Sequence, residues 1–321
     1  MSHGDRHPAA PAPALTSRLY ETESDLLQMR GLLMEARSLT SDWRYAHAGE
    51  LMWSFFMVVC HLDPRKDIRL WHAGGGKLVA YAILSEDPSL DFQVLPDNEW
   101  SGIEAGALAW AEERVSDLRR HDPKTWGGHL VCGARQDDAR RIAFLEQHGF
   151  RYRGEFAEVN MLRSLDEPLP RAAPPTGWRV RALAKAGETS NRAAAHREVW
   201  QPWTVGNVGD DDYAAFMRLP GYRRDLDVVA VAPDGVIGAY VNGWTDPVNR
   251  IGDLGPVGAR PAHRRQGLTR AVLAEGLRRM RSAGMDRVCV STGMSNTPAL
   301  RLYESVGFRP VNRYLDYERT G

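Results

Sequence analysis

Hydrophobic and polar residues follow each other in the second half of the chain in a pattern that predicts a sheet interrupted by helices. Alternating or apolar stretches predict strands at residues 178–184, 225–231, 236–244, 251–259 and 287–291. Helical spacing of apolar residues predicts helices that end near Trp200 and that cover 268–283 and 298–306, before a terminal strand from Phe308. This order is typical of a mixed α/β sheet with helices on both faces.

The first half repeats this pattern, which indicates a tandem duplication. A Pro-x5-Gly motif that begins at Pro96 recurs at Pro261, an offset of 165 residues, and a Gly-Phe pair at Gly149 recurs at Gly307, an offset of 158. A glycine run at 74–76 precedes an apolar strand in the first half, and a Pro-Asp-Gly turn precedes the corresponding strand in the second half. We therefore interpret the glycine run as a hairpin turn. Similar offsets in the same order predict two copies of one unit.

A proline-rich stretch separates the two copies. Residues 165–177 read LDEPLPRAAPPTG, with four prolines and no apolar periodicity, which is typical of a semi-rigid linker. The first residues, rich in proline and alanine, lack the apolar core of a signal peptide. We therefore predict four parts: a disordered tail at 1–15, a domain at 16–165, a linker at 166–177 and a domain at 178–321.

Composition and charge exclude several classes of protein. The chain has 321 residues, of which 43% are hydrophobic, so two packed domains are expected and a disordered chain is not. Lys+Arg and Asp+Glu both total 41, and this zero net charge provides no field to attract nucleic acid or an anionic membrane. The longest apolar run, at 51–60, is about half of what a membrane span needs.

The three cysteines predict no disulfide framework and no metal site. Cys60, Cys132 and Cys289 are odd in number and show no C-x-x-C spacing. We interpret them as buried apolar side chains in a reducing cytoplasm, and we expect a cytoplasmic protein that needs no metal.

A basic turn between a strand and a helix is the best candidate for a binding site. There the predicted strand runs into a turn and then directly into a helix, a junction that presents unpaired N–H groups and the positive end of the helix dipole. Such a junction suits a pyrophosphate, and its glycine lets an anion approach closely. The candidate residues are Arg264, Arg265, Gln266, Gly267, Leu268 and Thr269.

Two motifs in the second half resemble those of the GNAT superfamily of acyl-CoA N-acyltransferases. The pattern [QR]-x-x-G-x-[GA] starts at Arg264, with Thr269 in place of the final small residue, and N-x-x-A-x-x-x-Y-x-x-x-G-F starts at Asn296 and is complete. The resemblance covers the second half strongly and the first half weakly. It implies an α/β fold of two tandem GNAT domains, each a mixed, splayed, mostly antiparallel sheet flanked by helices.

The resemblance also implies where the co-substrate, acyl-CoA, would bind. Backbone groups of Val257 and Ala259 would hydrogen-bond the pantetheine arm, and one N–H there would polarise the thioester carbonyl. Residues 264–269 would hold the pyrophosphate, and Asn296 belongs to the same set. Two other nucleotide sites are excluded, since no early G-x-G-x-x-G follows a strand and the GGGK run at 74–77 lacks the rest of a P-loop.

Acyl transfer to an amine needs a neutral nucleophile, donors for the developing oxyanion and a proton for the departing thiolate. Tyr303 stands where the resembled family places a tyrosine beside the sulfur, so we predict that it is the acid. Asp253, four residues before Val257, stands where many members of the resembled family carry a carboxylate, so it is the candidate base, with a water relay because Asp is short. The structural alternative for Tyr303 is a packed aromatic ring, and that for Asp253 is a carboxylate paired with an arginine. Asp246 is an alternative base or a binder of a cationic acceptor.

The first half lacks these groups. At the repeat offsets Glu99 replaces Arg264, Glu104 replaces Thr269, and Leu145 stands where the second half has its tyrosine. Carboxylates repel a pyrophosphate. We therefore predict a degenerate domain that supports the active one and covers its acceptor cleft.

We predict an N-acetyltransferase that moves an acetyl group from acetyl-CoA to the primary amine of a small molecule, by direct attack in a ternary complex. A non-catalytic acyl-CoA-binding regulatory module is the alternative that the Thr269 departure leaves open. Exposed strand edges permit a homodimer without requiring one. Aromatic residues expected near the acceptor side, mostly in the core, are Trp200, Trp203, Trp244, Tyr314 and Tyr317.

Overall fold

The computed structural model describes residues 15–40, 43–85, 88–184 and 186–320, so the tail predicted at 1–15 lies outside them except for Leu15. The first half forms six strands and six helices among these residues: β1 (Thr16–Leu19), α1 (Glu23–Thr40), α2 (Ala48–His61), α3 (Pro64–Asp67), β2 (Ile68–His72), β3 (Leu78–Ser85), β4 (Ser89–Val94), α4 (Ile103–His121), α5 (Pro123–Trp126), β5 (His129–Arg135), α6 (Ala139–Gln147) and β6 (Arg151–Ser164).

The second half confirms the predicted order of elements. Its elements are β7 (Arg179–Ala182), α7 (Thr189–Trp200), α8 (Asp210–Phe216), β8 (Val228–Val231), β9 (Ile237–Asp246), β10 (Ile251–Ala259), α9 (Leu268–Ser282), β11 (Arg287–Gly293), α10 (Thr297–Ser305) and β12 (Arg309–Thr320). The strand predicted at 225–231 is wrong over its first residues, because Arg224–Leu226 form a turn of 3-10 helix that directs Leu226 into the core. None of the helices within the described ranges is long and apolar enough to cross a bilayer.

All twelve strands of the described chain form one continuous sheet. The strand order is β1-β2-β3-β4-β5-β12-β6-β11-β10-β9-β8-β7, and the pairs are antiparallel except for β4 with β5 and β10 with β11. This confirms a mixed, mostly antiparallel sheet flanked by helices.

The two halves exchange their last strands at the centre of this sheet. Strand β12, from the end of the chain, lies between β5 and β6 of the first half, and β6 lies between β12 and β11. Each half therefore completes its sheet with a strand from the other half. The sequence predicts two separate sheets and gives no sign of this exchange.

The duplicated turns have the same backbone shape in both halves. Trp100 and Arg265, which are 165 residues apart, both adopt the left-handed region with φ of 64° and 63°. Gly102 and Gly267 follow them two residues later, with φ of 98° and 83°, and each precedes the first residue of a helix. The repeat that the prolines and glycines predict is thus also present in the main chain.

The core of the first half extends into the second. Helix α2 packs its aromatic residues on α8, where the rings of Trp53 and Phe56 lie 5.9 Å and 4.9 Å from that of Phe216. Trp244 of β9, only 3% exposed, belongs to the same apolar cluster. One face of the β9–β10 hairpin is therefore covered by the first half of the chain.

Candidate active site

A slot opens between β10 and β11 where these two strands separate. They pair in parallel only from Ile251 to Asp253, opposite residues 287–289 of β11. Beyond that point β10 has a register shift against β9 between Leu254 and Val257, and the Pro256 in the shift has no N–H to donate. The register shift and the proline explain why the ladder ends there.

The free edge of β10 directs backbone donors into this slot. The N–H of Arg260 donates to the carbonyl of Gly238 on β9 at 2.9 Å. Because successive residues of a strand direct their N–H groups to opposite sides, those of Val257 and Ala259 point away from β9 and toward the slot. These are the two residues expected to bind a pantetheine arm.

The basic turn that follows β10 ends in unpaired donors at the start of α9. No described residue accepts a hydrogen bond from the N–H of Gly267, Leu268 or Thr269, and a Cβ built on Gly267 would meet no atom within 4 Å. Arg264 Nε donates to the Ala259 carbonyl at 3.3 Å, and Gln266 Nε2 donates to its own turn at 3.3 Å. Four of the six predicted residues, 264–267, are exposed.

Leu268 and Asn296 lie at the site, but their side chains contact the neighbouring protein and not the slot. The side chain of Leu268 is buried in the core, which leaves only its N–H for a ligand. Asn296 caps α10: its Oδ1 accepts from the Ala299 N–H at 3.3 Å, and its Nδ2 donates to Thr292 Oγ1 at 3.2 Å. Asn296 therefore shapes the turn that leads to Tyr303.

Side chains fill the matching slot of the first half. Strands β4 and β5 pair only at Ser89 and Leu90 before they separate. Arg141 bridges the gap, since its Nε donates to the Gly133 carbonyl of β5 at 2.8 Å and its Nη1 to the Phe92 carbonyl of β4 at 3.2 Å. At the offset of 158 residues, Ala299 occupies the position of Arg141.

Carboxylates occupy the matching turn of the first half. The side chain of Glu104 is 3% exposed, and its Oε1 accepts from the Trp100 N–H at 2.7 Å. Glu99 binds Arg44 Nη2 at 2.9 Å and the Tyr45 hydroxyl at 2.7 Å. The first half thus supplies its own anion where the second half leaves unpaired donors.

Tyr303 and Asp253 are both buried and influence each other. The Tyr303 ring packs on Phe308, with 5.9 Å between centroids, and no described residue hydrogen-bonds its hydroxyl. Burial, and then the nearby charge of Asp253, raises the pKa of Tyr303 well above its usual value. The hydroxyl therefore remains protonated and able to donate.

The environment of Asp253 favours its protonated form. Burial, and then the charge of Glu50, raises the pKa of Asp253 to about 8. Its contact is the Cys289 thiol, which lies 3.6 Å from Oδ1. No arginine of the described chain forms an ion pair with it, so the alternative of an arginine-paired carboxylate is wrong.

Asp246 is a turn residue rather than a ligand group. Its Oδ1 accepts from the N–H groups of Val248 and Asn249, both at 3.0 Å, and its Oδ2 accepts from Asn249 Nδ2 at 2.6 Å. These bonds close the β9–β10 turn. Both oxygens accept bonds within the turn and the side chain is fully buried, which disfavours Asp246 as an alternative base or binder of a cation.

Two carboxylates from the first half belong to this group of charges, and sequence reasoning missed both: Glu50 acts on Asp253, and Glu158 is influenced by Glu50. Glu50 lies in the first turn of α2, and Glu158 lies on β6 opposite the end of β11. Crowding by protein, and then the charge of Glu50, raises the pKa of Glu158 to about 7, while the side chain still reaches solvent. Only the docking of the halves brings these groups together. No group of three described His, Cys, Asp or Glu residues is arranged to hold a metal ion.

The aromatic residues expected near the acceptor are divided between core and surface. Trp244 and Tyr317 are buried, whereas Trp203 is 61% exposed. The Tyr314 hydroxyl donates to the Gly133 carbonyl at 3.1 Å, and Trp200 Nε1 donates to the Tyr240 hydroxyl at 2.9 Å.

Comparison with known proteins agrees with this geometry. Residues 193–308 match a family model described as the acetyltransferase (GNAT) family. A mycothiol acetyltransferase from Acidothermus cellulolyticus is 24% identical over 97% of this chain and 93% of its own, and another from Thermobispora bispora is 29% identical over 73% and 77%.

Solved structures share the fold over nearly the whole chain. A GCN5-related N-acetyltransferase from Sphaerobacter thermophilus has a TM-score of 0.63 at 22% identity and covers 95% of both chains. A tandem GNAT protein from the clavulanic acid biosynthesis pathway has a TM-score of 0.62 at 16% identity and covers 96% of this chain and 98% of its own. Two related units in one chain are therefore an arrangement that other proteins also have.

Proposed function

Because this chain belongs to the GNAT acetyltransferase family and is an acyltransferase, we propose that it moves an acetyl group from acetyl-CoA to the primary amine of a small molecule. The transfer occurs by direct attack within a ternary complex. The working site is that of the second half, residues 178–321, and residues 16–165 form a supporting domain that binds no coenzyme.

The observation that carries this proposal is the open slot that ends in unpaired donors. The N–H groups of Val257 and Ala259 are available along β10, and those of Gly267, Leu268 and Thr269 are available at the start of α9. An extended thioester with a diphosphate at its far end matches a row of amides that leads to a helix N-terminus. Nearby arginines add countercharge.

Tyr303 holds the proton that it must give, and Asp253 acts as a base in its ionised fraction, which grows as the pH approaches its pKa of about 8. As the amine nitrogen bonds to the acetyl carbon, the bond from that carbon to sulfur breaks. Asp253 accepts the proton that leaves nitrogen, directly or through water, and Tyr303 gives its proton to sulfur. A base with a pKa near 8 is well matched to an amine at neutral pH.

A small acceptor is supported by the way the first half covers the site. The charge of Glu50, from α2, acts on Asp253 and on Glu158 of β6, and negative charge of this kind favours an amine. The relatives named mycothiol acetyltransferase are aligned over most of both chains, which also favours a small molecule over a protein tail.

The alternative of a non-catalytic acyl-CoA-binding module is less well supported. Binding of the coenzyme needs the amides of the slot and the turn, but neither a buried carboxyl with a raised pKa nor an unpaired tyrosine hydroxyl. Perturbed groups of this kind are frequent at catalytic sites.

Release of free thiol from acetyl-CoA in the presence of a panel of small primary amines tests the proposal. We expect amine-dependent release, together with mass-spectrometric detection of an acetylated amine. When the rate is measured against each substrate at several fixed concentrations of the other, the lines of the double-reciprocal plot should intersect, as a ternary complex requires.

A matched variant separates catalysis from binding. Asp253→Asn should retain coenzyme binding, measured by calorimetry, and lose most of the turnover. Coenzyme binding by the wild-type protein with no acetylation of any amine in the panel would favour the binding module instead.

A further inference from the structure

The start of α2, in the first half, is docked on β10, in the second half. His47 Nδ1 accepts from the Gly49 N–H at 2.9 Å, which leaves Nε2 as the protonated nitrogen. Nε2 donates to the carbonyl of Ile251 at 3.3 Å, across 204 residues of sequence. The first turn of α2 is therefore fixed two residues from Asp253.

A close approach at Gly49 strengthens this contact. A Cβ on Gly49 would lie 2.6 Å from Trp244, so only glycine lets the helix come this near. Trp244 is paired with Asp253 across the β9–β10 ladder, and paired residues project from the same face of a sheet. The residue after Gly49 is Glu50, which therefore lies on the side of the sheet that carries Asp253.

Glu50 has one oxygen engaged and one without a partner among the described residues. Oε2 accepts from the His47 N–H at 2.8 Å and closes a capping box at the start of α2. No hydrogen bond to a described residue engages Oε1. A glutamine would form the same cap without the charge, so capping alone does not explain a glutamate here.

We propose that Glu50 is a positioning residue of acetyl transfer, which the first half of the chain supplies to set the charge state of Asp253 in the second half. This inference rests on the proposed function. The like charge of Glu50 makes Asp253 hold a proton more tightly, so that Asp253 is a stronger base toward the amine. The supporting half thereby takes part in catalysis without touching the reacting atoms.

Other charged groups act on the same pair. Arg37 of α1 favours the ionised form of both carboxylates, while its Nη1 donates to the Tyr45 carbonyl at 2.7 Å. Further titratable groups that face Glu50 or Asp253 from the packed elements are His47, Asp91, Glu158, Cys289 and Tyr303. Among these charges Glu50 has the largest effect on Asp253, which is why it is the residue to test.

The test is the pH profile of kcat/KM for Glu50→Gln, which keeps the cap and removes the charge. We expect the acidic limb to move to lower pH by about one unit, and the plateau to fall severalfold because Asp253 is then a weaker base. The matched control is Asp212→Asn, at the equivalent position in the first turn of α8, where the carboxylate accepts from the Gly209 N–H at 2.8 Å. This control should leave the profile unchanged.

A second measurement does not depend on turnover or on folding of the variant. Carbon-13 NMR of the wild-type protein without coenzyme should show the carboxyls of Glu50 and Asp253 titrating in two coupled steps. Independent single-step titrations, or an acidic limb that Glu50→Gln does not move, would overturn the inference. If the wild-type protein acetylates no amine, the proposed function fails while the coupled titration can still be observed.

Discussion

At the scale of single residues, burial determines the properties of the two candidate catalytic side chains. Asp253 and Tyr303 are 5% and 6% exposed, and in both the loss of water favours the protonated form. A buried carboxyl without a cation destabilises the fold whenever it is ionised. A group retained under these conditions is a candidate for function rather than for stability.

We expect Asp253→Asn to reduce kcat by about 10²-fold or more, the usual contribution of a general base, and to stabilise the protein. The pKa of Asp253 in the folded protein, about 8, lies above that of an unfolded aspartate, so its ionisation removes stability as the pH rises between these values. The asparagine cannot ionise. The gain in Tm over wild type should therefore be larger at pH 9 than at pH 5, and an equal gain at both would contradict the assignment.

Tyr303→Phe should lower kcat by about 10²-fold with a smaller effect on the dissociation constant of acetyl-CoA. The hydroxyl is the only group removed, and the ring still packs on Phe308. Rapid-quench measurement of the transfer step, with calorimetry of coenzyme binding, separates the two effects. An unchanged rate constant would exclude Tyr303 as the acid.

At the scale of elements, the two halves share the same backbone conformation, but the side chains at the two equivalent sites differ in charge and size. The turn before α4 and the turn before α9 share their left-handed residues, yet one holds the Glu104 carboxylate and the other holds unpaired amides. Between the separated strands of the first half, Arg141 bridges the gap, and at the repeat offset the second half has Ala299 in its place. A few side chains thus distinguish the closed site of the first half from the candidate binding site of the second.

Ala299→Arg should close the working slot as Arg141 closes the other. We expect the loss of acetyl-CoA binding in calorimetry, with an unchanged circular dichroism spectrum. The reciprocal variant, Arg141→Ala, should still bind one equivalent per chain, because Glu104 still occupies its turn. Two equivalents bound by the wild-type protein would show that the first half is not closed.

The sequence predicts the site that depends on local pattern and misses the part that depends on docking. The pattern of apolar residues predicts β10 with its observed bounds. The basic turn with its glycine is predicted because it lies between this strand and the helix that follows. Glu50 and Glu158 carry no motif, since their role arises only where α2 and β6 meet the second half. The sequence shows that the carboxylate of Glu104 would repel a pyrophosphate. It does not show that this side chain is buried against its own turn, because that burial depends on the folded structure.

At the scale of the whole molecule, the exchanged strands β6 and β12 join the halves into one sheet. Strand β12 pairs with β5 along seven residues and with β6 on its other side, so neither half has a complete sheet by itself. A core that spans α2, α8 and Trp244 adds apolar contact between them. We therefore expect a single cooperative unfolding transition rather than two.

Gly133→Ala tests this cooperativity. A Cβ at Gly133 of β5 would lie 1.9 Å from the ring of Tyr314 in β12, so the exchanged strand would have to shift, at a cost of about 1–3 kcal/mol. The Tm should fall while calorimetry still shows one transition, and tryptophan fluorescence and far-UV circular dichroism should coincide. The control is Gly128→Ala, which meets no atom within 4 Å. A variant that melts in two steps would show that the halves are independent.

The position of β12 at the end of the chain has a consequence for synthesis on the ribosome. The half that is translated first must wait, with one edge of β5 unpaired, until β12 has emerged. Truncation of the chain before β12 would therefore harm the part of the protein that was made earliest.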